Sequence, residues 1–231
     1  MYEGRETAAG STGDFLKNIK AFIFDLDGVL TDTAEYHYRA WKRMAEEEGL
    51  PFNRQDNEKL RGVSRRASLE LILKGRSLPE EKIEAMMERK NNYYRESIKE
   101  ISEKDLLPGS LELLQKLREK GYKLAVASAS KNAPMIIERL NIGAYFDVLA
   151  HGGSVERAKP APDLFLYTAE KLKLEPRYCL VVEDAEAGVE AAKRAGMATI
   201  GIGPPERVGA ADLVFSSVGE IDPEKIPVCR V

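Results

Sequence analysis

Apolar residues in this chain fall into short unbroken runs, divided by longer stretches where they recur every three or four positions. The first run, Ala21-Phe22-Ile23-Phe24, is short enough for a strand buried on both faces. Similar runs follow at Lys123–Ala127, Tyr145–Leu149, Leu180–Val182 and Ala198–Ile202, with a weaker one at Leu213–Phe215. The periodic stretches between them predict helices at Leu111–Lys120, closed by Gly121, at Ala133–Leu140, at Asp163–Leu172, and at Glu186–Ala195, closed by Gly196. Strand and helix in alternation imply a mostly parallel sheet with helices on both faces. Catalytic groups in such an α/β layout collect at the carboxyl ends of the strands.

Residues 34–104 interrupt the alternation and read as helices alone. Thr33, His37, Trp41 and Met44 form one stripe, ended by Gly49. Leu69, Ile72 and Leu73 form a second apolar face. A third helix opens at Pro79-Glu80-Glu81, where proline and acids suit a first turn, and carries Ile83, Met86, Met87, Tyr94 and Ile98. The expected organisation is therefore an N-terminal extension at 1–18, a Rossmann-like core at 19–33 and 105–231, and an inserted helical cap domain at 34–104.

Composition narrows the function classes without naming one. A 43% apolar, 32% charged chain is ordinary for a folded soluble domain, and a net charge of −3 provides no field for nucleic acid or an anionic membrane. Any anionic ligand must be held by a local cluster of donors. The polar start, with Glu3, Glu6 and Asp14, is unlike a signal peptide, and no run approaches a membrane span. Cys179 and Cys229 make neither a disulfide framework nor a zinc spacing. A reducing cytoplasm is the expected setting.

The candidate chemistry begins where the first strand ends, at Phe24-Asp25-Leu26-Asp27-Gly28-Val29-Leu30-Thr31-Asp32-Thr33. Alternation in an extended chain sets Asp25 and Asp27 on one side, while Gly28 lets the backbone turn and re-aim Asp27. Three further signals occupy other strand ends: Ser128 within Val126–Ser130, Lys159 in Ala158-Lys159-Pro160, and Glu183-Asp184 after Val182. Taken singly, these are a turn residue, a surface charge and a helix cap. Four in order, each at a predicted strand end, require a common explanation.

Together they resemble the haloacid dehalogenase superfamily of phosphotransferases over Ala21 to about Phe215, including the place of the helical cap. Within it the chain is similar to the β-phosphoglucomutases. The residues carrying that likeness are Phe24–Trp41, Gly62-Val63-Ser64-Arg65, Ala127–Asn132, Lys159–Asp163, and Glu183-Asp184 with Ala187-Gly188.

The resemblance implies that Asp25 is a nucleophile forming an aspartyl-phosphate and that Asp27 is the general acid and base. It implies Mg²⁺ held by Asp25, the backbone carbonyl of Asp27 and Asp184, with Glu183 either a ligand or one shell out. Lys159, Ser128 and the Ala129 amide would orient the phosphoryl oxygens. From the cap, Arg65 would grip a second phosphate, meeting Ser130, Lys131 and Asn132 on closure. Arg61 and Gly62 belong to the same cap face, and Thr33, His37 and Trp41 form the hinge stripe, from which His37 would reach Asp27 or the substrate. The implied reaction interconverts β-glucose 1-phosphate and glucose 6-phosphate through β-glucose 1,6-bisphosphate, in a monomer with neither nucleic-acid nor membrane partner. A Mg²⁺-dependent sugar-phosphate phosphatase would share every core residue, and a catalytically silent binding module would need none of them. The chain departs from the family pattern at Arg61, where lysine is usual, at Arg66, where an acid is common, and in the loop His151-Gly152-Gly153-Ser154.

Overall fold

The computed structural model describes residues 18–225; all but the last residue of the expected N-terminal extension, and Cys229, lie outside the described residues. The apolar runs form six strands: β1 (Ala21–Phe24), β2 (Lys123–Ser128), β3 (Val148–His151), β4 (Cys179–Glu183), β5 (Ala198–Ile202) and β6 (Leu213–Phe215). Their order is β3-β2-β1-β4-β5-β6, with every neighbouring pair parallel. Central β1 is buried at all its positions, so its sequence is continuously apolar. Phe24 lies opposite both Val126 and Val182, and the residues just beyond these three strands emerge side by side. The strand order reverses between β1 and β4, where an open α/β sheet leaves a crevice at its carboxyl edge.

After β1 the chain leaves the sheet for four helices, α1 (Ala34–Glu47), α2 (Arg54–Glu58), α3 (Arg65–Leu73) and α4 (Glu80–Ser97). They enclose their own apolar cluster, built from Trp41, Met44, Leu69, Ile72, Leu73, Ile83 and Met86. The crossing between cap and core is a two-segment clasp. Thr31 bridges to Leu106, its hydroxyl donates to the Asp105 carbonyl at 2.7 Å, and the Leu107 N–H donates to Leu30 at 2.9 Å.

The core helices are α5 (Ser110–Glu119), α6 (Ala133–Arg139), α7 (Asp163–Leu172), α8 (Glu186–Arg194) and the single turn α9 (Pro205–Val208). Alternate residues of β1 serve opposite faces. Phe22 and Phe24 pack with Leu114 and Leu117 of α5 and Ile136 of α6, whereas Ala21 and Ile23 pack with Phe165 of α7 and Ala191 of α8. No helix among the described residues is long and apolar enough to cross a membrane.

The sequence pattern and the structure differ in three places. The run Tyr145–Leu149 becomes a strand only from Val148, because Gly143–Tyr145 closes as a 3₁₀ turn and the Asp147 carboxylate accepts the Leu124 N–H at 2.8 Å. The helix expected to carry Ile98 stops at Ser97, whose hydroxyl donates to the carbonyls of Tyr93 and Tyr94 at 2.9 Å. Helix α2 was not legible from apolar spacing; it begins with a reciprocal capping box between Asn53 and Asp56.

Candidate active site

A cavity of about 710 Å³ opens between cap and sheet edge. Asp25, Asp27, Lys159 and Asp184 line it from the core, with Ala129, Ser130, Lys131 and Asn132 from the loop after β2. Thr33, His37, Trp41, Arg61, Gly62 and Arg65 line it from the hinge and cap. Of the residues singled out from the sequence, Ser128 and Glu183 are not on its wall. Ser128 is fully buried and its hydroxyl accepts the Ser130 N–H at 3.1 Å, shaping the loop from beneath. Glu183 is fully buried, with one oxygen 2.5 Å from Lys159 Nζ and the other accepting the Ala185 N–H at 2.9 Å.

Lys159 organises the floor. Its ammonium donates to Asp25 Oδ1 at 2.6 Å, to Glu183, and to the Ala127 carbonyl at 3.0 Å, so all three of its protons are engaged. Burial opposes its charge, but Asp25 and Glu183 together outweigh burial and hold the ammonium above the usual lysine range. The other Asp25 oxygen accepts the Asp27 N–H at 3.0 Å. One carboxylate is thereby fixed in position at the end of β1.

Asp25, Glu183 and Asp184 can each bring an oxygen within 4.8 Å of the others. Burial first, then Glu183 and Asp25, push the Asp184 carboxyl well above the usual range, with Arg61 and Arg207 offsetting part of the effect. Arg61 stands 3.2 Å and Arg207 3.7 Å from the same Asp184 oxygen. Gly28 has φ +86°, and a side chain there would collide with the Asp184 carboxylate, so the approach of β1's turn to β4 depends on glycine. Crowded, buried carboxylates of this kind suit a hard divalent cation with oxygen ligands.

Asp27 differs from Asp25 in its surroundings. Its carboxylate accepts from the Thr33 hydroxyl, and among the described residues no cation bonds it directly. Burial, then the neighbouring Asp25 charge, raise it to about 7 against the smaller lowering influence of Thr33, Lys159 and Lys90. A carboxyl raised to the neutral range is suited to carrying a proton.

The hinge contains residues that apolar periodicity passed over. Lys90 on α4 is buried, and its Nζ lies 2.8 Å from His37 Nδ1 and over the rings of Trp41 and Tyr94. His37 stacks on Tyr94 at 4.1 Å; burial, then Lys90, keep it neutral. A Lys90 donor at Nδ1 would leave the imidazole proton on Nε2. His37 meets Lys90 through Nδ1 and also lines the cavity. Asn91, the next residue, was also passed over: its amide oxygen accepts from Arg65 at 2.7 Å and from Asn132 at 2.9 Å. The readable signal for Lys90 was its register, four residues after Met86 and four before Tyr94, on the buried stripe. Arg207 lies within the single-turn helix α9 and had no such signal.

Comparison with known proteins agrees with this geometry. The family model of haloacid dehalogenase-like hydrolases matches residues 19–196, and the chain belongs to that family. A β-phosphoglucomutase of Bacillus subtilis (strain 168) is 44% identical over 208 residues, covering 88% of this chain and 92% of that protein. The crystal structure of a β-phosphoglucomutase from Clostridium difficile superposes with a TM-score of 0.87 at 42% identity, covering 90% of this chain and 95% of the other. A phosphorylated carbohydrates phosphatase of Thermotoga maritima is 32% identical, covering 90% of this chain and 96% of that protein.

Proposed function

We propose that the protein is a phosphomutase that interconverts β-D-glucose 1-phosphate and glucose 6-phosphate through an aspartyl-phosphate and β-glucose 1,6-bisphosphate. The observation that carries this reading is a lysine-braced carboxylate at one end of the cavity and, at the other, a guanidinium without a carboxylate partner among the described residues. At the floor stand Asp25 and Lys159; at the roof stands half-buried Arg65. A phosphatase needs the floor alone. A mutase must hold both phosphates of a bisphosphate and accept them in either orientation.

In the reaction, a carboxylate oxygen of Asp25 forms a bond to phosphorus as the bond from phosphorus to the sugar oxygen breaks. Asp27 gives its proton to the departing oxygen and, in the reverse sense, takes one from the attacking hydroxyl. Lys159 holds Asp25 in line, and Glu183, with both oxygens engaged, braces Lys159. Asp25, Asp184 and the Asp27 carbonyl would hold Mg²⁺, with Glu183 one shell out. Bound there, the ion offsets negative charge on the phosphoryl oxygens. Lys131 and Ser130 face the sugar phosphate from the loop after β2, and one chain supplies every group, so a monomer suffices.

The test is the fate of β-glucose 1-phosphate with Mg²⁺ and a trace of β-glucose 1,6-bisphosphate. Glucose 6-phosphate is expected in large excess over free phosphate; release of phosphate as fast as isomerisation would transfer the assignment to a phosphatase. Asp25→Asn is expected to lose turnover together with the labelled aspartyl-phosphate. Asp27→Asn is expected to keep substrate binding while turnover falls by ~10²–10⁴.

A further inference from the structure

Arg65 and Asn132 come from opposite sides of the cavity, the cap helix α3 and the core loop after β2. Both donate to a single atom, Asn91 Oδ1 on α4. Arginine has no acceptor, so the orientation of the Asn91 amide is forced: its oxygen faces the two donors. The loop that presents Asn132 is itself braced, with the Asn132 N–H donating to Ser130 Oγ at 3.2 Å and the Ser130 N–H to Ser128 Oγ. Nothing anionic meets the Arg65 guanidinium: it takes part in no ion pair among the described residues, and burial lowers its proton affinity. One neutral oxygen thus receives, from cap and core at once, the pair of hydrogen bonds that an anionic oxygen would accept more strongly.

We infer that Asn91 is an internal surrogate for the non-reacting phosphate, latching cap to core until a substrate phosphate displaces its amide oxygen from Arg65 and Asn132. This rests on the reading of the roof as a phosphate site. Asn91 is a positioning residue here and makes no contact with the reacting atoms. A neutral amide suits the task because it pre-aligns both donors yet yields to a charged phosphate. A carboxylate would hold the guanidinium too firmly, and a side chain without an acceptor would remove this tether. The chemistry recognised is a phosphate monoester on a small polyol, with its charge as the displacing element.

Two substitutions separate a latch from a simple packing role. Binding of β-glucose 1,6-bisphosphate is measured by calorimetry on the full chain without Mg²⁺, so that turnover does not intervene. Asn91→Asp is expected to weaken binding by about ten- to hundredfold, because the phosphate must break a charge-assisted pair and meets a like charge. Asn91→Ala is expected to bind as tightly as the parent or more so. Small-angle scattering without any sugar supplies the second measurement: the Asn91→Ala protein is expected to be more extended than the parent, and Asn91→Asp at least as compact. Equal weakening in both variants, or no weakening in Asn91→Asp, overturns the latch. So does an unchanged radius of gyration across all three proteins. If the parent fails to isomerise hexose phosphates but the variants follow this order, the mutase reading fails and the latch stands. If it isomerises and the order is absent, the latch fails alone.

Discussion

Lys90 and His37 are the residues whose surroundings conflict most with their chemistry. Burial first, and Arg65 second, hold the Lys90 ammonium well below the usual lysine range, with Asp27 only partly compensating. An unfolded chain keeps that proton up to about pH 10.5, so between the lowered native value and about 10.5 the unfolded state binds it more readily than the native one. The cost to stability is full below the native value, at about 1.4 kcal/mol for every tenfold loss of proton affinity, and shrinks away as pH rises towards about 10.5. Lys90→Met, which fills the same stripe without a charge, is expected to raise Tm by about 2–4 °C per kcal/mol recovered, while slowing turnover. A lower Tm would show that the Lys90–His37 contact outweighs the burial. His37 contributes a separate dependence. It stays neutral in the native state, so stability falls as pH drops below about 6.5, with a slope reaching about 1.4 kcal/mol per pH unit. His37→Asn is expected to flatten that limb in denaturant titrations at successive pH values.

At the scale of elements, helix α4 sends three consecutive functions inward along its buried side: Lys90 to the hinge, Asn91 to the clamp, and Tyr94 to the stack on His37. Helix α8 serves the floor by what it lacks. Gly188 packs where any side chain would overlap the Glu183 carboxylate. In most helix interiors glycine to alanine stabilises by about 1 kcal/mol, but here Gly188→Ala is expected to lower stability by about 1–3 kcal/mol through overpacking. Turnover is expected to fall at least tenfold as Glu183 and then Lys159 are displaced; a stabilised, fully active variant would show that the floor can relax. These elements also explain what the sequence could and could not disclose. Asp25, Asp27 and Asp184 were visible because short apolar strands end abruptly in charge, a contrast that survives without knowledge of neighbours, whereas Lys159, expected at a strand end, lies in the turns between His151 and α7 and was legible only through the family resemblance. Strands β1, β2, β4 and β5 were visible for the same reason, each being buried on both faces. Asn91 was not, because an amide on a mostly polar helix has no contrast to offer and its meaning lies in partners 26 and 41 residues away. Asp147 misled in the opposite sense: one side chain inside an apolar run replaced a strand's first ladder bond.

For the whole molecule, three buried carboxylates at one sheet edge that could hold a cation lead to an expected dependence of native stability on metal. A ligand at a hundredfold excess over its dissociation constant stabilises by about 2.7 kcal/mol. Saturating Mg²⁺ is accordingly expected to raise Tm by about 5–10 °C over protein in excess chelator, and Asp184→Asn to remove most of that increment. Identical melting with and without metal would argue against the ligand set. Activity is expected to vanish with the chelator. The two chain crossings between the sheet edge and the cap are held together at the clasp, where Thr31 meets Asp105 and Leu106 and where Leu30 meets Leu107. Both passages of the chain run through it, only a few residues from Asp27 and Thr33. In mechanical terms the clasp is a fulcrum, and the cap is a lever with one short arm and one long one. Rotation about it barely displaces the proton carrier beside the pivot, while it sweeps Arg65 and Asn91 through a wide arc at the rim. The mouth can then open far enough to release a sugar bisphosphate and let it turn over, while the acid–base geometry at the pivot stays assembled for the second transfer.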